Sequence, residues 1–78
     1  RKEFKAINID TLEKLAEKKG LTTIDIDVLI EAGLIKKNSL VKILGNGTLT
    51  KKLEVKAHAF SKTAITAIES VQGTVVKL

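Results

Sequence analysis

The chain has no cysteine, methionine, tryptophan or tyrosine, one histidine, one arginine and two phenylalanines in 78 residues. Without cysteine there is neither a disulfide staple nor a thiolate metal site, and a lone histidine cannot build an all-imidazole site. No metal and no cofactor is therefore expected. Phe4 and Phe60 are too few to form the stacking platform that single-strand RNA readers use. No apolar run approaches the length that crosses a bilayer, and no charged-then-apolar leader opens the chain, so neither a membrane partner nor an export signal is expected. There is also no nucleophile motif, histidine pair or metal-spaced cluster, and so small a domain has little room for a deep pocket. These absences argue against an enzyme and against a small-molecule substrate. The start at Arg1-Lys2-Glu3, together with the missing methionine, predicts a piece of a longer protein.

What is present is aliphatic and basic. Seventy-eight residues make at most one domain, 1–78, whose core must be built from Leu, Ile, Val and Ala and whose stability alone is marginal. The net charge of +5 is unevenly spread. Residues 1–35 hold six basic and seven acidic side chains, a balance of −1, whereas residues 36–78 hold eight lysines against Glu54 and Glu69, a balance of +6. The second half suits a polyanion. A solvated lysine surface explains the same charge, and composition does not choose between them.

Periodicity places the elements. Phe4, Ala6, Ile7 and Ile9 read as a short extended segment. Asp10 is the expected cap of a first helix over residues 10–19, with Glu13 answering in a capping box, Leu12, Leu15 and Ala16 as its apolar stripe, and Gly20 as its left-handed end. Thr22, Thr23 and Ile24 read as extended. Asp25 then caps a second helix over 25–32, closed by Gly33, and Lys36-Lys37-Asn38-Ser39 form a loop.

The stretch from Val41 to Gly73 organises the rest. A strand is expected over 40–44, a tight turn at Gly45-Asn46-Gly47, and a second strand over 53–58. Leu53, Val55 and Ala57 share its buried face and Glu54, Lys56 and His58 the wet one, because side chains alternate across a pleated backbone. Ala64, Ile65, Ile68 and Val71 then recur at helical spacing, so the period switches near Phe60 and a third helix is expected over 61–72. Gly73 ends it, and the β-prone tail over 74–77 returns beside an earlier strand. No Pro-rich or Ser-rich linker interrupts the chain, which reads as one small α/β domain of short strands and three helices.

Lys42-Ile43-Leu44-Gly45-x-Gly47, Leu53-x-Val55, Ala57-x-Ala59-Phe60-Ser61-x-x-Ala64 with Ile68, and Gly73 closely resemble the signature of ribosomal protein fifteen of the large subunit. Glu31-Ala32-Gly33-Leu34-Ile35 and the Val41-Lys42 approach to Leu44-Gly45 resemble its bacterial-type branch. The long Gly-, Arg- and Lys-rich N-terminal extension of that family, which threads into ribosomal RNA, is absent from this sequence. The resemblance thus implies the globular C-terminal domain, an irregular superhelix of strand-strand-helix units. It also implies a structural role in the cytoplasmic ribosome, with large-subunit ribosomal RNA and neighbouring ribosomal proteins as partners. A small protein-interaction module outside the ribosome is the alternative.

The expected RNA-binding residues are Lys51, Lys52, Lys56, His58, Ser61 and Lys62, around one edge by strand and helix phase. Lysine is a flexible point charge suited to phosphate oxygens, whereas bidentate base reading favours arginine, so these contacts position rather than specify. Ser61 and Lys62 sit where the N-terminal helix dipole favours an anion, although Ser61 also serves simply as a cap. His58 offers a hydrogen bond to ribose or phosphate, or is merely solvated. Gly45-Asn46-Gly47 lacks the Lys-Ser/Thr ending of a nucleotide loop and reads as a turn. Asp25 with Asp27, and Glu13 with Glu17, read as caps and solvated charges.

Overall fold

The computed structural model describes residues 4–78, so Arg1 and Lys2, counted above among the basic residues, lie outside the described residues. In chain order the elements are β1 (Phe4–Asn8), α1 (Ile9–Lys19), β2 (Thr23–Ile24), α2 (Ile26–Glu31), β3 (Leu40–Leu44), β4 (Glu54–Ala57), β5 (Ala59–Phe60), α3 (Lys62–Ser70) and β6 (Thr74–Lys77). The odd strands form one sheet, ordered β1-β3-β5, and the even strands a second, ordered β2-β4-β6. All four pairings are parallel. The chain therefore passes from one sheet to the other at every step, and the α/β domain expected from the sequence has two sheets wound into each other.

The expected second strand is divided. Residues 54–57 pair with β2 and β6, while residues 59–60 pair with β3, and His58 lies at the changeover. Alternation survives along this segment: Leu53, Val55 and Ala57 are buried, and Glu54, Lys56 and His58 are half-buried on the other face. The tail pairs with β4 from Thr74 opposite Glu54 to Lys77 opposite Ala57.

All three helices end alike. The N–H groups of Leu21, Leu34 and Gly73 donate to Ala16 O, Leu29 O and Ile68 O, five residues back, which satisfies carbonyls that a helix end leaves free. Gly20 and Gly33 take the left-handed conformation expected of them, with φ of 65° and 77°. The third helix departs from expectation, because its left-handed residue is Gln72, at φ 63°, and not Gly73. Gly73 is required for another reason: a Cβ there would lie 2.9 Å from Ile68 O and closer still to Leu53 O.

The capping box expected at Asp10 and Glu13 does not form. Helix α1 starts one residue earlier, at Ile9, with Asn8 as its N-cap and no side-chain capping bond. Ile9 is fully buried, so packing draws it into the first turn and leaves Asp10 inside the helix. Asn8 Oδ1 is itself buried with no hydrogen-bond partner. Asp25, by contrast, caps α2 as expected, accepting from Val28 N at 3.0 Å.

Leu12, Leu15, Leu53, Val55 and Ile68, apolar positions in phase by sequence, are buried together with Leu29, Val41 and Ile43, and Ile65 is half-buried. Ile7, Ile9, Ile24, Ile35 and Leu49 join them in one cluster. Each such side chain contributes about 1.5–3 kcal/mol by leaving water, so this aliphatic cluster replaces the staples that the sequence lacks. The radius of gyration, 11.2 Å, is close to the roughly 11.5 Å of a compact chain of this length.

Candidate nucleic-acid interface

The loop over residues 45–52 delivers the first two candidate lysines, and α1 holds it in place. A Cβ on Gly47 would fall 2.7 Å from Asp10 Cβ, so the loop backbone lies against the start of that helix. One turn on, Thr50 N and Thr50 Oγ1 both donate to Glu13 Oε1, each at 2.5 Å. The Thr50 hydroxyl first, and then the Thr50 N–H, hold the Glu13 carboxyl below the usual glutamate range. The sequence suggested a cap for Glu13; the structure uses it as a clamp. Lys51 and Lys52 follow, both exposed, beside Glu17, Gly20 and Leu21 at the C-terminal end of α1.

Lys56 is half-buried and lies opposite Val76 in the second sheet. His58 is tied to β3: Val41 N donates to His58 Nδ1 at 3.0 Å, and His58 N donates to Val41 O at 3.1 Å. Its ring is therefore not simply solvated, and only Nε2 remains for an outside partner. Ser61 Oγ accepts from Ala64 N at 3.1 Å and lies 3.2 Å from Thr63 Oγ1, so this hydroxyl is committed to capping α3. Gly45 packs on the same turn, where a Cβ would come within 2.7 Å of Ala64 N. Lys62, the first residue of α3, is exposed.

The six residues thus flank and lie within the segment 53–60, which bends at His58 as it changes sheets. Lys51 and Lys52 precede it, Lys56 and His58 lie within it, and Ser61 and Lys62 follow it. The eight residues 53–60 between Lys52 and Ser61 span at most about 26 Å at ~3.3 Å per residue, and less with the bend at His58. The side chains that could meet phosphate oxygens are thus placed before, within and after this segment.

A feature that sequence reasoning missed lies where the second sheet begins. Thr22, Thr23, Lys52, Leu53, Glu54, Gln72, Gly73 and Thr74 line a cavity of about 450 Å³. Its walls come from three separate parts of the chain, so no local pattern announced it. Among the described residues no group of three His, Cys, Asp or Glu side chains could hold a metal ion, and no helix is long and apolar enough to cross a membrane.

Comparison with known proteins decides the family. The model describing ribosomal proteins 50S-L15 and 50S-L18e, together with their 60S counterpart, matches residues 6–76. The chain belongs to this family. It is 64% identical, over all 78 residues, to the large ribosomal subunit protein uL15 of Parabacteroides distasonis, of which it covers 53%. Over the same length it is 62% identical to the uL15 protein of Bacteroides thetaiotaomicron and 59% identical to that of Phocaeicola vulgatus, again covering 53% of each. The chain thus spans about half the length of the curated relatives it matches. The uL15-type resemblance carried by residues 42–73 extends to the whole sequence, and a family of ribosomal components is a structural class, not an enzymatic one.

Proposed function

We propose that the chain is the C-terminal globular domain of a structural component of the large ribosomal subunit. It binds ribosomal RNA and neighbouring ribosomal proteins during assembly and in the mature particle, in the cytoplasm. The observation that carries this reading is identity of 59–64% to uL15 proteins along the entire chain. The charge distribution agrees with it: eight lysines against two acidic residues in 36–78 provide sequence-independent contacts to phosphate oxygens. Lys51, Lys52, Lys56 and Lys62 supply the charge, His58 Nε2 one further hydrogen bond, and Ser61 fixes the helix start from which Lys62 projects. Binding is weak for the domain alone, because few lysines are available to neutralise phosphates.

The test is a salt titration of binding to large-subunit ribosomal RNA. Each phosphate contact removed lowers the log affinity against log salt slope by roughly 0.7–0.9 in magnitude. Lys51→Ala with Lys52→Ala should weaken binding and flatten the slope, while Lys18→Ala with Lys19→Ala, matched in charge but in the acidic half, should do much less. Equal losses from both pairs would mean diffuse attraction and no defined lysine site. No RNA binding by the unaltered chain at low salt would favour the protein-interaction alternative.

A further inference from the structure

Strands β2, β4 and β6 begin in register, with Thr23 opposite Glu54 and Glu54 opposite Thr74. The cavity at their N-terminal ends, about 450 Å³, lies within the roughly 300–1,000 Å³ of ligand pockets. A nucleic-acid duplex does not fit such a space, whereas one extruded nucleotide does. The lining residues include three threonines, Gln72, Lys52 and Glu54, which bring hydroxyl, amide, ammonium and carboxylate groups to the site. A bare phosphate suits Lys52 and is repelled by Glu54. Much of the exposed lining is apolar, but a purely apolar ligand would leave the polar groups around it without partners. A nucleotide needs all of these groups at once: a cation for its phosphate, hydroxyls for its ribose, and an acceptor and an amide for its base edge.

Gln72 gives the second reason. It is the only non-glycine residue with positive φ among those described. In α1 and α2 the equivalent left-handed position is filled by Gly20 and Gly33, which adopt it without steric cost. Glutamine there is strained, and what it adds over glycine is a side chain carrying an amide at a residue that lines the cavity. Strain held at a cavity is the kind of outlier from which a site is properly inferred.

We infer that this cavity binds a single unpaired RNA nucleotide, with Lys52 on its phosphate, Thr22 and Thr74 on its ribose, and Gln72 and Glu54 on its base edge. The inference rests on the RNA-binding reading above and adds the kind of RNA recognised, a splayed-out residue and not a helix. Recognition runs through hydrogen bonds and needs no aromatic platform, which this chain lacks. The threonine hydroxyls face a 2′-hydroxyl, the group that distinguishes RNA from DNA.

The decisive variant is Gln72→Gly, which removes the side chain with its amide and relieves the left-handed φ, so the fold is kept. Binding to large-subunit ribosomal RNA should weaken by about tenfold, the equivalent of one or two lost hydrogen bonds, with the salt slope unchanged because no phosphate contact is lost. Lys52→Ala should instead lower the slope by roughly 0.7, the value of a single-strand contact. A single-stranded RNA oligonucleotide should shift the amide resonances of Thr22, Gln72 and Thr74, and DNA of the same sequence should shift them less. If Gln72→Gly binds ribosomal RNA as tightly as the unaltered chain, the nucleotide site is overturned while the lysine contacts stand. If the unaltered chain binds no ribosomal RNA at all, both readings fall together.

Discussion

His58 and Val41 exchange a reciprocal pair of hydrogen bonds, His58 N to Val41 O and Val41 N to His58 Nδ1. The imidazole takes the place of a strand neighbour at the point where the chain leaves one sheet for the other. Since Nδ1 accepts, the neutral ring carries its proton on Nε2, and nitrogen NMR should find that tautomer. His58→Ala leaves the N–H of fully buried Val41 without a partner and should cost about 1–3 kcal/mol in urea unfolding. Its RNA salt slope should stay close to that of the unaltered chain, because no lysine is lost. A flattened slope with stability unchanged would make His58 a phosphate ligand and not a join between sheets.

The Glu13 clamp predicts an acid-sensitive loop. The Thr50 hydroxyl and Thr50 N–H hold the Glu13 carboxyl below its ordinary value, so the folded state binds this proton less readily than the unfolded chain. The contribution to stability is therefore fully present above the unfolded value, about 4.3, and is lost as pH falls through the folded value. Glu13→Gln should be less stable than the unaltered chain at neutral pH, and the difference should close as the solution is acidified below the glutamate range. A difference that persists undiminished in acid would assign the loss to something other than the carboxylate.

Gly73 and Gly20 should respond to alanine on different grounds. At Gly20 the space is open and the penalty is the left-handed φ alone, about 1–2 kcal/mol. At Gly73 the added Cβ meets Leu53 O and Ile68 O, backbone atoms that cannot swing aside. Leu53 O also accepts from Thr74 N at 3.0 Å, the bond that starts β6 on its partner strand. Gly73→Ala should therefore be the costlier of the two, at or above the roughly 1–3 kcal/mol of overpacked sites, as compared by their urea midpoints. The reverse order would show that β6 moves out without much loss.

Local patterns made most of this fold legible. The alternation from Leu53 to His58, the spacing of Ala64 and Ile68, and the endings at Gly20 and Gly33 are set by residues within a turn or two of one another, and the structure repeats them. What was not legible depends on distant chain. Whether residues 53–60 serve one sheet or two is decided by β2, β3 and β6, which lie far away in sequence. Asp10 looks like a cap until Ile9 is seen to be fully buried, and Gly73 looks like a left-handed end until Leu53 O is seen beside it. The candidate lysines were legible as charges; the Thr22, Gln72 and Thr74 cavity, assembled from three strand starts, was not.

The placement of the lysines yields the last prediction. Lys51 and Lys52 stand before β4 beside the end of α1, and Lys62 stands after β5 at the start of α3. Residues 53–60 lie between them along the chain and pass from one sheet to the other at His58, so the two lysine groups sit on different elements. Changes at separate sites with no shared partner add to within about 0.3–0.5 kcal/mol. The loss of RNA affinity from Lys51→Ala with Lys52→Ala and the loss from Lys62→Ala should therefore sum in the triple variant, measured at one fixed salt concentration. Slope changes should sum as well, each phosphate contact counting for roughly 0.7–0.9. A triple variant no weaker than the worse of its parents would mean that all three lysines depend on one contact, and the picture of phosphates held along a strand would give way to a single corner.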